Sequence, residues 1–224
     1  MVDPRPPAWV RAATGLMAVL IPVALLLTNV RLLLTPAYVE LAYLMPAFPE
    51  DSFGFTRDER IAQADVALAY LLNDAGPEFL GDLRFADGTA VYNERELRHM
   101  VDVKRLVQAA MRVWLGALVL VVGLGLAVAR ARGGAQVSIG LRWGSRLTLG
   151  LMAVLGVGLL ATFSVVFVGF HRMFFQGDSW LFLYTDTLIR LFPERFWSNA
   201  FMILAGSTFL EAVGLFLWTR RRTR

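Results

Sequence analysis

Four apolar stretches, each about as long as a bilayer is thick, constrain this chain more than any other feature. A spanning helix needs about 20 predominantly apolar residues, and residues 12–34, 110–129, 147–169 and 200–218 all meet that length. Hydrocarbon offers no partner to a backbone N–H or C=O, so each stretch has to be helical. Charged residues are 18% of the chain, below the roughly 25% of a soluble domain, and they come in blocks between the apolar runs. The first run exceeds a signal-peptide core in length and no small-x-small cleavage site follows it, so it is expected to be a retained anchor. The net charge of +4 does not point to nucleic acid, because the basic residues are confined to the flanks of the apolar runs.

Those flanks set the direction. Arg5 and Arg11 precede the first run, Arg130, Arg132, Arg142 and Arg146 lie between the second and third, and Arg220, Arg221, Arg222 and Arg224 follow the fourth. Asp3 is the one acid among them. The positive-inside rule puts both termini and the 130–146 connection in the cytoplasm. The predicted fold is therefore mainly α and integral to the membrane. It has four transmembrane helices, N-in and C-in, a small α/β extracytoplasmic domain (35–109) between the first two, and an interfacial extracytoplasmic segment (170–199). Glu211, inside the fourth run, is expected to reach toward the cytoplasmic arginines.

Within 35–109, Thr56-Arg57-Asp58-Glu59 fits a capping box, in which hydroxyl and carboxylate satisfy the first free donors of a helix. Ile61, Ala64, Leu68, Leu71 and Leu72 then keep one apolar face, and Asp74-Ala75-Gly76-Pro77 ends it. Leu83-Arg84-Phe85 and Thr89-Ala90-Val91-Tyr92 around Asp87-Gly88 read as a β-hairpin. Asn93, with Glu96 three residues on, caps a helix that starts at Glu94 and runs toward the second span. In 170–199 aromatic residues alternate with charges, as suits headgroup level. Asp186 to Phe192 reads as a short interfacial helix ended by Pro193.

The chain has two histidines and no cysteine. His99 precedes the second span and His171 follows the third, so the topology brings both to the outer face. Histidine can take and give a proton near neutral pH. Asp102, three residues after His99 on the same helix face, is a candidate to hold its tautomer, and Asp178 a candidate to do the same for His171. The bland reading is a pair of interfacial histidines, with Asp102 paired to Arg98 or Arg105 and Asp178 a turn residue after Gly177. A zinc site built on these residues lacks the compact ligand spacing of known motifs. None of Ser52, Ser179 and Ser198 sits in a Gly-x-Ser-x-Gly elbow.

Two blocks carry a resemblance. Glu96-Leu97-Arg98-His99-Met100-Val101-Asp102-Val103-Lys104 is similar to a signature of the bacterial lipoprotein intramolecular transacylases, the Lit family. So is Phe170-His171-x-x-Phe174-Phe175, with Gly177-Asp178-Ser179-Trp180 and Asp186-Thr187-Leu188-Ile189. Phe53-Gly54-Phe55-Thr56 and Asp58-Glu59-Arg60 also fit. The resemblance implies a multi-pass enzyme of the bacterial plasma membrane with its site on the extracytoplasmic side. The sn-2 acyl chain of a diacylglyceryl-cysteine lipoprotein would move to the cysteine α-amine, giving the lyso-form. His99 and His171 are implied as catalytic. Asp102, Asp178, Glu96, Arg98, Lys104, Arg172 and Trp180 are expected to support them, with Arg98, Lys104, Arg172 or backbone N–H groups as donors to the oxyanion. No cofactor is expected, and the implied partners are the diacylated lipoprotein and membrane lipid. The competing readings are a non-catalytic membrane protein, either an envelope chaperone or a carrier (which should show internal repeats or broken helices that this sequence lacks), and a metal-dependent lipid hydrolase.

Overall fold

The computed structural model describes residues 6–221. The flanking charges Asp3, Arg5, Arg222 and Arg224 lie outside the described residues. Nine helices run in chain order among those residues: α1 (Ala8–Leu33), α2 (Pro36–Leu44), α3 (Arg57–Leu72), α4 (Glu78–Gly81), α5 (Glu94–Arg132), α6 (Gly134–Ala161), α7 (Phe163–Phe174), α8 (Thr187–Leu191) and α9 (Glu194–Arg221). Four of them, α1, α5, α6 and α9, are long and apolar enough to cross a membrane. Their outer faces agree with that: Val119, Val154 and Leu160 stand exposed, a surface that hydrocarbon rather than water would cover.

Three boundaries differ from the sequence-based expectation. The 130–146 connection is helical at both ends, since α5 runs to Arg132 and α6 starts at Gly134. Gly133 alone turns the chain, at φ 78°, a left-handed conformation that a residue without Cβ adopts cheaply. Arg142 and Arg146 therefore sit on a helix. Arg142 donates to the Thr219 carbonyl at 2.7 Å, and Arg146 stacks over Trp143. The apolar run 147–169 is also divided. Thr162 adopts extended backbone, so α6 ends at Ala161 and α7 is a separate helix of 12 residues, too short to span.

The third difference is the predicted hairpin, which does not make an α/β domain. It shrinks to one isolated antiparallel bridge, Arg84 with Ala90, held by Phe85 N–H to Thr89 O at 2.9 Å and Val91 N–H to Leu83 O at 3.1 Å. Asp87 Oδ1 accepts from the Thr89 amide, and Gly88 turns at φ 84°. The turn chemistry is as expected, but two short runs without a third strand cannot extend a ladder. The insertion is helical instead.

The chain divides into two compact units. The first holds the described residues up to 31, with 111–157 and those from 203 on. Small residues let its helices approach closely. A Cβ built on Gly144 of α6 would lie 2.6 Å from Ile21 Cδ1 and 2.7 Å from Ile21 Cβ of α1. One at Gly125 would sit 3.6 Å from the flexible end of Met17. Gly144→Leu is accordingly expected to destabilise the bundle by about 1–3 kcal/mol through overpacking, with Gly125→Ala near neutral, as read by thermal unfolding in detergent. Polar groups inside this unit meet one another: Asn29 Nδ2 donates to Glu211 Oε2 at 2.8 Å and Thr208 Oγ1 at 3.1 Å, and Trp114 Nε1 to Thr28 Oγ1 at 2.9 Å.

The second unit, 32–110 with 158–202, carries both histidines. Its core is the apolar face of α3. The capping box at Thr56 and Glu59 starts this helix as expected. Ala64 and Leu68 pack on Val39 and Tyr43 of α2, while Ala67 and Tyr70 join Leu80, Val91, Tyr92, Met100, Leu188 and Leu191. The tyrosines of α2 also hydrogen-bond: Tyr38 to the Phe196 carbonyl at 2.8 Å and Tyr43 to the Leu191 carbonyl at 2.6 Å. Apolar burial and these bonds hold segment 187–196 in place.

Candidate active site

His99 owes its position to the way α5 begins. Asn93 Oδ1 accepts from the Glu96 amide at 3.1 Å, and Glu96 Oε2 accepts from the Asn93 amide at 2.8 Å. This reciprocal cap satisfies two free donors and sets the register of the helix. The other carboxylate oxygen, Glu96 Oε1, accepts from the Leu188 amide of α8 at 2.7 Å. Glu96 is 1% exposed, and burial raises its pKa while the Asn93 and Leu188 amides pull it back down. Asp186 completes the junction: its carboxylate accepts from Asn93 Nδ2 at 3.0 Å and the Leu183 amide at 2.8 Å. The first turn of α5 is thereby tied to the aromatic segment ahead of α8.

His171 lies on the last turn of α7. The structure brings the two imidazoles together: their ring centres are 6.1 Å apart and the planes are inclined by 19°. Both are buried, His99 at 7% and His171 at 9% exposure, in an aromatic shell. Phe175 and Phe182 stand 4.9 Å and 5.3 Å from the His99 ring. Phe167 and Trp180 stand 4.1 Å and 4.8 Å from the His171 ring.

The hydrogen bonds separate the two rings chemically. His171 Nδ1 is 2.8 Å from the Phe167 carbonyl. A carbonyl oxygen only accepts, so Nδ1 holds the hydrogen and Nε2 is left with its lone pair. His99 Nδ1 is buried with no partner among the described residues. Burial, and then the neighbouring His171, push His99 down to about 4. Burial also lowers His171, against the opposing effect of its bond to the Phe167 carbonyl. Two neutral imidazoles at neutral pH, one with a defined acceptor nitrogen, can take up and pass on a proton.

The remaining predicted site residues divide sharply. Trp180 packs against His171 with its ring tilted, and its Nε1, like the Oγ of Ser179, is buried without a partner among the described residues. Glu96 serves the scaffold. Lys104 is a clamp: its buried ammonium donates to Asn73 Oδ1 at 3.0 Å and to the Ala75 carbonyl, and lies 4.0 Å from the Tyr70 ring centre. Asp102 pairs with Arg105 at 3.4 Å, and Arg98 with Glu94 at 3.5 Å, both on exposed ground. Arg172 and Asp178 are exposed, and Gly177 takes φ 62° in the turn before Asp178. Among the described residues no carboxylate meets His99 Nδ1; the tautomer support found is the Phe167 carbonyl on the other ring. Among the described residues no three histidine, cysteine, aspartate or glutamate side chains are grouped to hold a metal ion.

Sequence reasoning missed Phe167, Phe175 and Phe182 as neighbours of the histidines. Phe167 carried a usable signal, since it lies one helical turn before His171. It also missed the support beneath the site, where the Asp51 carboxylate receives both Arg190 Nε at 3.0 Å and the second guanidinium nitrogen at 2.9 Å.

The family model described as lipoprotein intramolecular transacylase Lit matches residues 15–197. A protein of Aquifex aeolicus (strain VF5) described as uncharacterized is 26% identical over 205 residues, 88% of each chain. The solved structure of the membrane-integral lipoprotein intramolecular transacylase Lit from Bacillus cereus superposes with a TM-score of 0.76 at 21% identity, over 96% of this chain and 98% of that one. A histidine-to-alanine variant of the same protein gives a TM-score of 0.70 at 20% identity, over 95% and 93%. The four apolar helices and these relatives make the chain a multi-pass membrane protein, and the match over most of its length means that it belongs to the lipoprotein intramolecular transacylase (Lit) family.

Proposed function

We propose that this chain is a lipoprotein intramolecular transacylase that moves the sn-2 acyl chain of a diacylglyceryl-cysteine lipoprotein to the cysteine α-amine, on the extracytoplasmic side, with His99 and His171 as the acid/base pair. The observation that carries the reading is the convergence of the two imidazoles, 6.1 Å between ring centres, in a chain of this family. The arginine clusters support the assignment of side.

In this scheme the α-amine nitrogen attacks the ester carbonyl carbon, a C–N bond forms, and the carbonyl electron pair moves to oxygen. His171 Nε2, free because Nδ1 is held by Phe167, takes the proton released by the amine. The C–O bond to the glycerol breaks, and the departing oxygen needs a proton. His99 is neutral, with one nitrogen protonated and one not, so it accepts a proton on one edge and releases one from the other. The proton lost by the amine is thus matched by the one gained by the alcohol, and no cofactor enters. Nucleophile and ester belong to one molecule, so orientation supplies a large part of the rate. A metal-assisted hydrolysis is disfavoured by the side chains around the histidines, which are aromatic rather than ligating.

The test is conversion of a synthetic diacylglyceryl-cysteine peptide by the purified chain, with the N-terminal residue analysed by mass spectrometry. The expected product has the same mass and an amide-linked acyl chain; loss of the acyl chain to water would replace transfer by hydrolysis. The pH profile adds a second reading. A histidine whose pKa is lowered keeps its lone pair to lower pH. The limb of kcat/KM nearest neutrality therefore belongs to the substrate amine, near pH 8. The rate is expected to rise about tenfold per pH unit up to that value, with the histidine limb displaced below the ordinary imidazole value of about 6.5. A further limb at 6.5 would contradict the assignment.

A further inference from the structure

We propose that the indole N–H of Trp180 is the oxyanion donor of this site, giving its hydrogen bond to the acyl carbonyl oxygen as negative charge develops there. The inference rests on the transacylase reading above and assigns a reacting contact to a side chain that the pair of histidines does not explain. Trp180 lies with its ring centre 4.8 Å from that of His171, inclined by 35°. Its Nε1 is buried and has no acceptor among the described residues. Indole N–H can only donate, and a buried tryptophan normally finds a partner for it. A buried donor left without one is a standing cost to the folded state. Beside a general base, that cost has a use: it keeps a donor oriented for an acceptor that is present only during reaction.

The cationic side chains that could serve as donors are engaged or exposed. Arg98 faces Glu94, Lys104 is tied to Asn73 and Ala75, and Arg172 lies on the surface. Ser179, the preceding residue, also carries a buried hydroxyl without a partner and is the natural second donor. As the amine nitrogen bonds to the ester carbon, the carbonyl electron pair becomes an oxyanion, and the N–H of Trp180 shares its hydrogen with that oxygen. The same pair re-forms the carbonyl as the glycerol oxygen leaves, so the donor gives up no proton and is unchanged at the end.

The test is Trp180→Phe, which keeps an aromatic ring on His171 and deletes the N–H, compared with wild type and His171→Ala by mass spectrometry of lyso-form product. An isosteric benzothiophene side chain at position 180, with sulfur in place of N–H, guards against a packing effect. Both replacements are expected to lower kcat by about 10²–10³-fold and leave KM within a few-fold; the benzothiophene protein, which keeps the volume of the ring, should also leave the thermal midpoint unchanged or raised, since no hydrogen bond of the free enzyme is lost. Ser179→Ala should lower kcat by a smaller factor. Wild-type kcat in the benzothiophene protein, with His171→Ala inactive, overturns the proposal while leaving the transacylase reading intact. A fall in the thermal midpoint with kcat retained overturns it in favour of a packing role. An active His171→Ala protein would instead remove the reading on which the proposal rests.

Discussion

His171→Ala is expected to lower the rate of lyso-form production by about 10²–10⁴-fold, the range for a positioned acid or base, in a protein that still folds and inserts. The imidazole contributes two separable things. Through Nδ1–H it donates to the Phe167 carbonyl at 2.8 Å, which orients the ring, and through Nε2 it presents the lone pair. His171→Asn separates them. Its side-chain amide can donate to the same carbonyl, and it has no group that titrates as a base. If His171 acted through packing alone, asparagine would recover part of the activity that alanine loses. As a base, both variants are equally inactive. The ring also touches Phe167, Phe175 and Trp180, so a modest fall in thermal midpoint is expected for alanine. Full activity in either variant would remove His171 from the chemistry.

The largest expected effect on stability lies at Asp51. Its carboxylate receives two guanidinium nitrogens of Arg190 and the amides of Phe53 at 3.1 Å and Phe55 at 2.8 Å. The side chains are 2% and 12% exposed. The Arg190 guanidinium also lies 4.0 Å from the Phe55 ring centre, and the Arg190 carbonyl accepts from the buried Arg60. Asp51→Ala leaves a buried guanidinium without its counter-charge, which costs about 3–5 kcal/mol when one partner of a buried pair is removed. Replacing both partners by apolar residues of similar volume should restore much of that loss, whereas two independent defects would add.

The pH dependence at Asp51 has a defined sign. Arg190, with the Phe53 and Phe55 amides, holds the carboxyl down at about 2. A lowered acid contributes stability above its ordinary value near 4, and that contribution is lost as pH falls from there toward 2. Thermal unfolding in detergent across that window should show wild type losing stability while Asp51→Ala, already without the pair, changes less. Because α8 carries Arg190 and receives Glu96 through Leu188 N–H, the same substitution is expected to lower activity through misplacement of the segment ahead of α8.

What could be read from the chain and what could not follow from the range of the forces involved. The four apolar helices, the caps at Thr56 and Asn93, the stop of α3 just ahead of Asp74-Ala75-Gly76-Pro77 and the turn at Asp87-Gly88 are decided by neighbours within a few residues or by the bilayer as solvent, and composition and spacing report both. The two histidine blocks were legible as a resemblance. Local signals misjudged what depends on remote partners. The strand pair at 83–92 had the right residues and no third strand to join, and the apolar run 147–169 gave no warning of the break at Thr162. Spacing nominated Asp102 as a companion of His99, because it counts turns along one helix, and the resemblance nominated Lys104. Asp102 instead pairs with Arg105 one turn along the same helix, whereas Lys104 is drawn to Asn73 at the end of α3, a partner from another element. The meeting of His99 with His171 and the buried Asp51–Arg190 pair were settled only in three dimensions. Each joins segments far apart in sequence, and the free energy of such contacts comes from excluding water at a place that no single segment specifies.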